Sequence, residues 1–293
     1  MIETQREGSR SMYSHIVIDL DGTLLKPDKS IGELTRKALL YIQKELEMTL
    51  ILASGRPVPF MEPIAESLEM HKYGGFLISN NGATVYDCYK REYILENHLN
   101  AEELKEIIQQ VNAFNLVPVI HHGDHLYVEE HHDGIVKRED QEFNIITGEL
   151  NSGNFSLKQV TSLEEAIDFP AYKVLIAGDS DYLKENQDQI IGDLKDKYTG
   201  LLTGPVALEF TKKEVDKAFS LAWLAETEGF DQENTMAFGD GQNDISLFEF
   251  VHHGVAMGNA VPELLEVADA VTLNHLEDGI GDYLNQYFEL NLV

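Results

Sequence analysis

The sequence predicts an α/β protein in which a doubly wound parallel sheet carries an inserted α+β domain. Three observations predict it. Short apolar runs alternate with helically spaced apolar residues between positions 15 and 86. The same alternation returns after position 210, and the stretch between follows a different rhythm. Strands that alternate with helices argue for parallel pairing with crossover helices. The expected division is a core of residues 12–83 and 210–293, an inserted domain of 84–209, and a disordered extension of 1–11.

Ile16 to Leu20 reads as the first strand. Leu34, Ala38, Ile42 and Leu46 recur at helical spacing. Thr49 to Ala53 is almost wholly apolar, as a parallel strand covered on both faces requires. An amphipathic helix near Met61 to Leu68 leads to the strand Phe76 to Ser79. Within the insert, strands are expected at Leu116–His121, His125–Glu129, Tyr172–Ala177 and Ala207–Phe210. Helices are expected at Ala101–Phe114 and Tyr182–Lys197, and Gly148–Asn154 reads as a polar loop. The core rhythm resumes with a helix at Ala218–Glu228 and strands at Thr235–Phe238, Val255–Met257 and Ala270–Thr272, with Pro262 opening a helix between the last two.

With 43% hydrophobic residues, the chain can fill a sizeable core. Twenty-two basic against 51 acidic residues give a net charge of −29, which disfavours nucleic acid and anionic membranes as partners. No apolar run is long enough to span a bilayer. The lone Cys88 rules out an internal disulfide, and with no signal-peptide h-region in the first residues it suggests a cytoplasmic setting. The oligomeric state is not legible in the sequence.

The chemistry gathers where strands end. Asp19-Leu20-Asp21-Gly22-Thr23 follows the first strand, and alternate side chains of an extended segment share a face. Two carboxylates at a buried strand lip need a cation or a proton to be stable. Ser54-Gly55-Arg56 follows the second strand, and Gly239-Asp240-Gly241-Gln242-Asn243-Asp244 follows the strand ending at Phe238. Lys217 opens the helix that leads into that strand. Each motif alone is a common turn or cap, but open α/β sheets bind ligands outside their carboxyl strand ends, where all of them converge.

In this order the set resembles the haloacid dehalogenase superfamily of phosphatases. Asp19, Asp21 and Thr23 match its first motif, Ser54 and Gly55 its second, Lys217 its third, and Asp240, Asn243 and Asp244 its fourth. Ser54-Gly55-Arg56-Pro57, Ser79-Asn80-Asn81-Gly82-Ala83 and the long insert are similar to the Cof-like branch, whose Rossmann-like core carries a large α/β cap. The resemblance implies that Asp19 is a nucleophile forming an aspartyl-phosphate and that Asp21 is the general acid and base. It implies Mg2+ between the Asp19 carboxylate, the Asp21 backbone carbonyl and Asp240. Gly22, Thr23, Ser54, Gly55, Asn243 and Lys217 would serve the phosphate, with Asn243 alternatively holding metal waters, and Asp244 would orient Lys217. Mg2+ and Lys217, together with a protonated Asp21, are expected to balance the four crowded carboxylates. Arg56 and Asn81 could contact substrate or hold turns. One departure stands out: Asp216-Lys217-Ala218 replaces the branch's usual Ser-Lys-Gly.

The expected activity is Mg2+-dependent hydrolysis of small phosphorylated metabolites, such as sugar phosphates, under the control of the cap. A phosphomutase on the same scaffold and a non-catalytic phosphometabolite sensor are the alternatives; the sensor would dispense with Asp19, Asp21 or Lys217, and all three are present. His121, His122, His125, His131 and His132 raise a zinc site, but without matching cysteines they read better as surface or cap-lining residues.

Overall fold

The computed structural model describes residues 13–138, 141–153 and 155–292; the extension expected over 1–11 lies outside them. The chain begins with β1 (His15–Ile18), β2 (Thr49–Ala53), β3 (Phe76–Ser79), β4 (Thr84–Asp87) and β5 (Glu92–Glu96). It then passes through β6 (Val117–His122), β7 (His125–Glu129), β8 (Ile135–Arg138), β9 (Gln141–Asn144), β10 (Ser156–Val160), β11 (Val174–Ala177), β12 (Tyr198–Gly204) and β13 (Ala207–Lys212). It returns as β14 (Thr235–Gly239), β15 (His253–Ala256) and β16 (Ala270–Val271).

The first sheet runs β16-β15-β14-β1-β2-β3-β4-β5. It is parallel from β16 to β3, with His15 of β1 opposite Thr235 on one side and Thr49 on the other. Alternate residues serve opposite faces. Ile16, Ile18, Leu50 and Leu52 pack with Ala38, Leu39 and Ile42 of the helix Glu33–Glu45. Val17, Ile51, Ala53 and Ala237 pack with Leu221 and Leu224 of the helix Lys217–Glu228. Two covered faces explain why these strands read as continuous apolar runs.

The second sheet runs β10-β7-β6-β11-β13-β12. The helices Ala101–Val111 and Ser180–Ile191 cover one face through Ile107, Ile108, Leu183 and Ile190. Ile145 and Ile146 of the helix Ile145–Gly153 cover the other.

Both expected boundaries of the insert move. β4 and β5 pair antiparallel onto β3, so the first sheet continues to Glu96 rather than ending at residue 83. The Asn80–Gly82 turn reverses the chain, and Thr84–Asp87 is wholly buried beside β3, so this stretch belongs to the core. At the far end, β13 holds the chain in the second sheet to Lys212 instead of releasing it at 209. The loop expected at Gly148–Asn154 is helical through Gly153, its helix anchored by Ile145 and Ile146; Asn154 lies outside the described residues. Among the described residues no helix is long and apolar enough to cross a membrane.

Candidate active site

β1, β2, β3 and β14 all end at the same lip, and the loops that leave it carry the expected residues. Asp19 prolongs β1 by donating its N–H to the Phe238 carbonyl at 3.0 Å, which fixes its carboxylate at the sheet's carboxyl end. Lys217 opens its helix with Asp216 as N-cap, the Asp216 carboxylate accepting the Phe219 N–H at 2.8 Å. That capping bond accounts for the acid beside Lys217: it satisfies an orphan amide of the first turn.

The Lys217 ammonium is fully buried and donates 2.6 Å bonds to both Asp19 Oδ1 and Asp244 Oδ1. Burial alone would lower its pKa; the two carboxylates outweigh that and hold it above the ordinary range. Asp19 moves the other way. Desolvation raises its carboxyl well above the usual value despite Lys217, and Asp244 and Asp240 add repulsion. Asp244 Oδ2 accepts the backbone N–H groups of Asp240 and Gly241, both at 3.0 Å, so the carboxylate bridges the lysine and the loop. This gives Asp244 the geometry of an orienting group for Lys217.

Asp240 accepts the Thr23 hydroxyl at 2.8 Å and the Asn259 amide at 3.3 Å. Thr23, expected at the phosphate, therefore commits its hydroxyl proton to this aspartate. Asn259 also donates to the Gly22 carbonyl at 2.9 Å and accepts the His275 N–H at 3.1 Å, tying two site loops to the C-terminal segment. Gly22 sits at φ +84°, and a Cβ there would come within 2.3 Å of the Asp240 carboxylate. Only glycine permits both that backbone and that approach.

Asp21, expected to carry a proton, is instead paired with cations. Arg56 grips its carboxylate through Nε at 2.5 Å and Nη2 at 2.6 Å, and Lys29 adds a bond at 2.9 Å. Burial pushes the Asp21 pKa up, but these cations outweigh it and hold the carboxyl below its ordinary value. Arg56 and Lys29 thus favour the ionised form of Asp21. Lys29 was not legible as a site residue, because it reaches Asp21 through the turn Lys26–Ser30.

Ser54 is buried and accepts the Arg56 N–H at 3.2 Å. Asn81 donates to Glu209 at 2.5 Å and accepts the Asn243 amide at 3.0 Å; Gly55 offers its carbonyl to Lys173 at 2.9 Å. Gly82, at φ +94°, lies so close to Asp216 that a Cβ would meet its carbonyl oxygen at 1.9 Å. The Ser220 hydroxyl donates to the Gly82 carbonyl, locking this turn to the Lys217 helix. Glu209 and Asn259 were missed by sequence reasoning, and Gly82 was noted only as part of the Ser79–Ala83 motif.

Asp19, Asp240 and Asp244 each place a carboxylate oxygen within 4.8 Å of the others, so the trio can share a cation. Asp244 is held by the Lys217 ammonium and two backbone N–H groups, whereas Asp240 meets only the neutral side chains of Thr23 and Asn259 and Asp19 gives Lys217 a single oxygen, so Asp19 and Asp240 are better suited to ligate. The glycine cradle at residue 22 and the hard oxygen donors fit a divalent ion. A second trio, Glu129, His131 and His132, lies in the second sheet's domain. Its Glu129 carboxylate already accepts the Leu163 N–H at 2.9 Å. His122 stacks on Phe169 with ring centroids 4.2 Å apart, and His121 pairs with Glu149 at 3.1 Å.

A family model for haloacid dehalogenase-like hydrolases matches residues 16–284. The 5-amino-6-(5-phospho-D-ribitylamino)uracil phosphatase YitU of Bacillus subtilis (strain 168) is 27% identical over 286 residues, covering 94% of this chain and 97% of the relative. The HMP-PP phosphatase of Serratia proteamaculans (strain 568) is 29% identical over 283 residues, with 94% and 96% covered. The crystal structure of a haloacid dehalogenase-like hydrolase from Bacteroides thetaiotaomicron superposes with a TM-score of 0.78 at 32% identity, covering 94% of this chain and all of that one. Sheet, strand-end motifs and match over nearly the whole length agree: the chain belongs to the haloacid dehalogenase-like hydrolases.

Proposed function

We propose that this hydrolase is a Mg2+-dependent phosphatase that releases phosphate from small phosphorylated metabolites through an aspartyl-phosphate on Asp19. The observation that carries the reading is the buried Asp19–Lys217–Asp244 row at the strand lip, beside the metal-competent Asp240. Lys217 directs positive charge at the Asp19 carboxylate, where the phosphoryl oxygens must gather charge during transfer. Asp19, Asp240 and the Asp21 carbonyl would hold the cation, which when bound supplies charge neutralisation for the phosphoryl group.

Asp19 attacks phosphorus, the P–O bond to the leaving alcohol breaks, and an acyl phosphate forms. Asp21, ionised under Arg56 and Lys29, is prepared to take a proton from the water that later hydrolyses that intermediate. To protonate the leaving alcohol in the first half it must carry a proton. An incoming phosphate dianion, by drawing Arg56 and Lys29 to itself, raises the Asp21 pKa toward that role. The lone Cys88, buried in the core, agrees with a reducing, cytoplasmic setting.

Two relatives are named for small phosphorylated compounds, which sets the test panel. Phosphate release should be measured on 5-amino-6-(5-phospho-D-ribitylamino)uracil, HMP-PP, hexose phosphates and pyridoxal phosphate, with and without Mg2+. Mg2+-dependent release from at least one is expected. No release from any would turn the reading toward a phosphomutase or a sensor.

Metal binding should also depend on pH in a defined direction. Burial, with Asp244 adding repulsion, pushes the Asp240 carboxyl up to about 6. Its folded pKa thus exceeds its ordinary 3.8, so the metal-free fold gains stability from this proton at low pH and loses it as pH rises through about 6. A divalent ion held by Asp240 would take the place of that proton. Thermal melts should show strong Mg2+ stabilisation at pH 7.5 and little at pH 5; equal shifts at both would remove Asp240 from the ligand set.

A further inference from the structure

We propose that Lys173 and Glu209 are positioning residues that make docking of the second sheet's domain a condition for order in the phosphate-site loops. The proposal rests on the phosphatase reading and names what regulates that same site. Lys173 immediately precedes β11 and Glu209 lies on β13, and their side chains are 8% and 6% exposed. They pair at 2.6 Å. An ion pair this deep is tolerated only if its remaining hydrogen-bonding groups are also satisfied. Here that satisfaction comes from the other sheet's loops. Lys173 donates to the Gly55 carbonyl at 2.9 Å, and Glu209 accepts the Asn81 amide at 2.5 Å.

From those contacts the network runs into the site. Asn81 accepts the Asn243 amide at 3.0 Å and donates its backbone N–H to the Ser54 carbonyl at 3.0 Å; Asn80 donates its own to the Arg56 carbonyl at 3.1 Å. Gly82 continues the same turn against Asp216 and Lys217. The pair therefore touches the turn at Gly55 and the turn at Asn81, and through them the residues beside Asp21 and Lys217. If the domain lifts away, Gly55 and Asn81 lose these partners together, and Lys173 and Glu209 meet water as a pair. A pair that served only its own sheet would find its partners there; this one is completed by Gly55 and Asn81.

The test uses the full chain in Mg2+, comparing wild type with Lys173→Met, Lys173→Arg, Glu209→Gln and the control Lys158→Met, whose ammonium bonds Tyr127 within the second sheet. Amide hydrogen exchange is read over residues 53–57 and 79–83. Turnover is read on acetyl phosphate and on the best ester of the panel. Losing one buried charge-assisted contact should speed exchange in both segments and lower kcat by about tenfold, by the same factor on both substrates. Lys173→Arg should restore most of kcat, and the control should match wild type. A loss of kcat that grows with the size of the leaving group would overturn the proposal, because Lys173 would then be touching substrate. So would wild-type exchange or wild-type kcat in Lys173→Met. Should that variant fail to fold, Glu209→Gln, nearly isosteric, decides by the same readouts. If wild type releases phosphate from nothing, the phosphatase reading fails by itself and exchange alone judges this one.

Discussion

Asp19→Asn should lower phosphate release by at least about a thousandfold while making the metal-free protein more stable. The loss follows from the nucleophile: an amide oxygen cannot form the acyl phosphate, and loss of a covalent nucleophile removes most of an enzyme's acceleration. The gain follows from the electrostatics. The Asp19 carboxyl is raised well above its ordinary range by burial, with Asp244 and Asp240 adding repulsion, so its ionised form opposes folding at neutral pH in the absence of metal. Asparagine keeps the shape and removes that charge, while Lys217 retains Asp244 at 2.6 Å. The two readouts are a phosphate-release assay with Mg2+ and a thermal melt in chelator at pH 7.5. A variant that still turns over at a tenth of the wild-type rate would end the covalent mechanism. One that is inactive and less stable would show that Asp19 is held favourably after all, and that the repulsion among these carboxylates has been overstated.

The parts of this site that were legible in the sequence are those set by strand ends. Asp19, Ser54 and Asp240 each follow an apolar run by one or two residues, and a parallel sheet brings such positions to one lip whatever the loops do. Lys217 was legible because its helix feeds β14. What was hidden depends on how loops close over one another. Lys29 reaches Asp21 through a turn, Asn259 reaches Gly22 across 237 positions, and Glu209 reaches Asn81 across 128. No periodicity encodes such contacts. Of the two residues whose roles the sequence left open, Arg56 pairs with Asp21 and Asn81 joins Glu209 to Asn243. The misplaced boundary at residue 83 has a similar cause. A buried antiparallel hairpin such as β4–β5 lacks the crossover helix by which the parallel strands were recognised.

Lys217→Met should be the more damaging of the two changes to stability, and it should cost turnover as well. Lys217 is fully buried between Asp19 and Asp244, and neither carboxylate has another cation at hydrogen-bond distance among the described residues. Removing one member of a buried ionic group leaves its partners uncompensated, at a cost of roughly 3–5 kcal/mol. For a chain of this size that corresponds to a fall in melting temperature on the order of 10 °C. Turnover should drop by about 10²–10³, the loss typical of one preorganised donor to a developing anion. The stability cost has a pH signature. With the lysine gone, Asp19 loses its opposing cation, so the deficit should be largest near pH 8 and shrink toward pH 5, because its carboxyl, raised well above the ordinary value by burial, protonates more readily in the fold than in the unfolded chain. Adding Asp244→Asn separates the two effects. The double variant Lys217→Met/Asp244→Asn should regain much of the lost stability, because one stranded anion is gone, yet regain no turnover, because nothing restores positive charge beside Asp19. If the double variant melts no higher than Lys217→Met, the cost lies in packing around the long buried side chain instead, and the charge row would be a feature of catalysis alone.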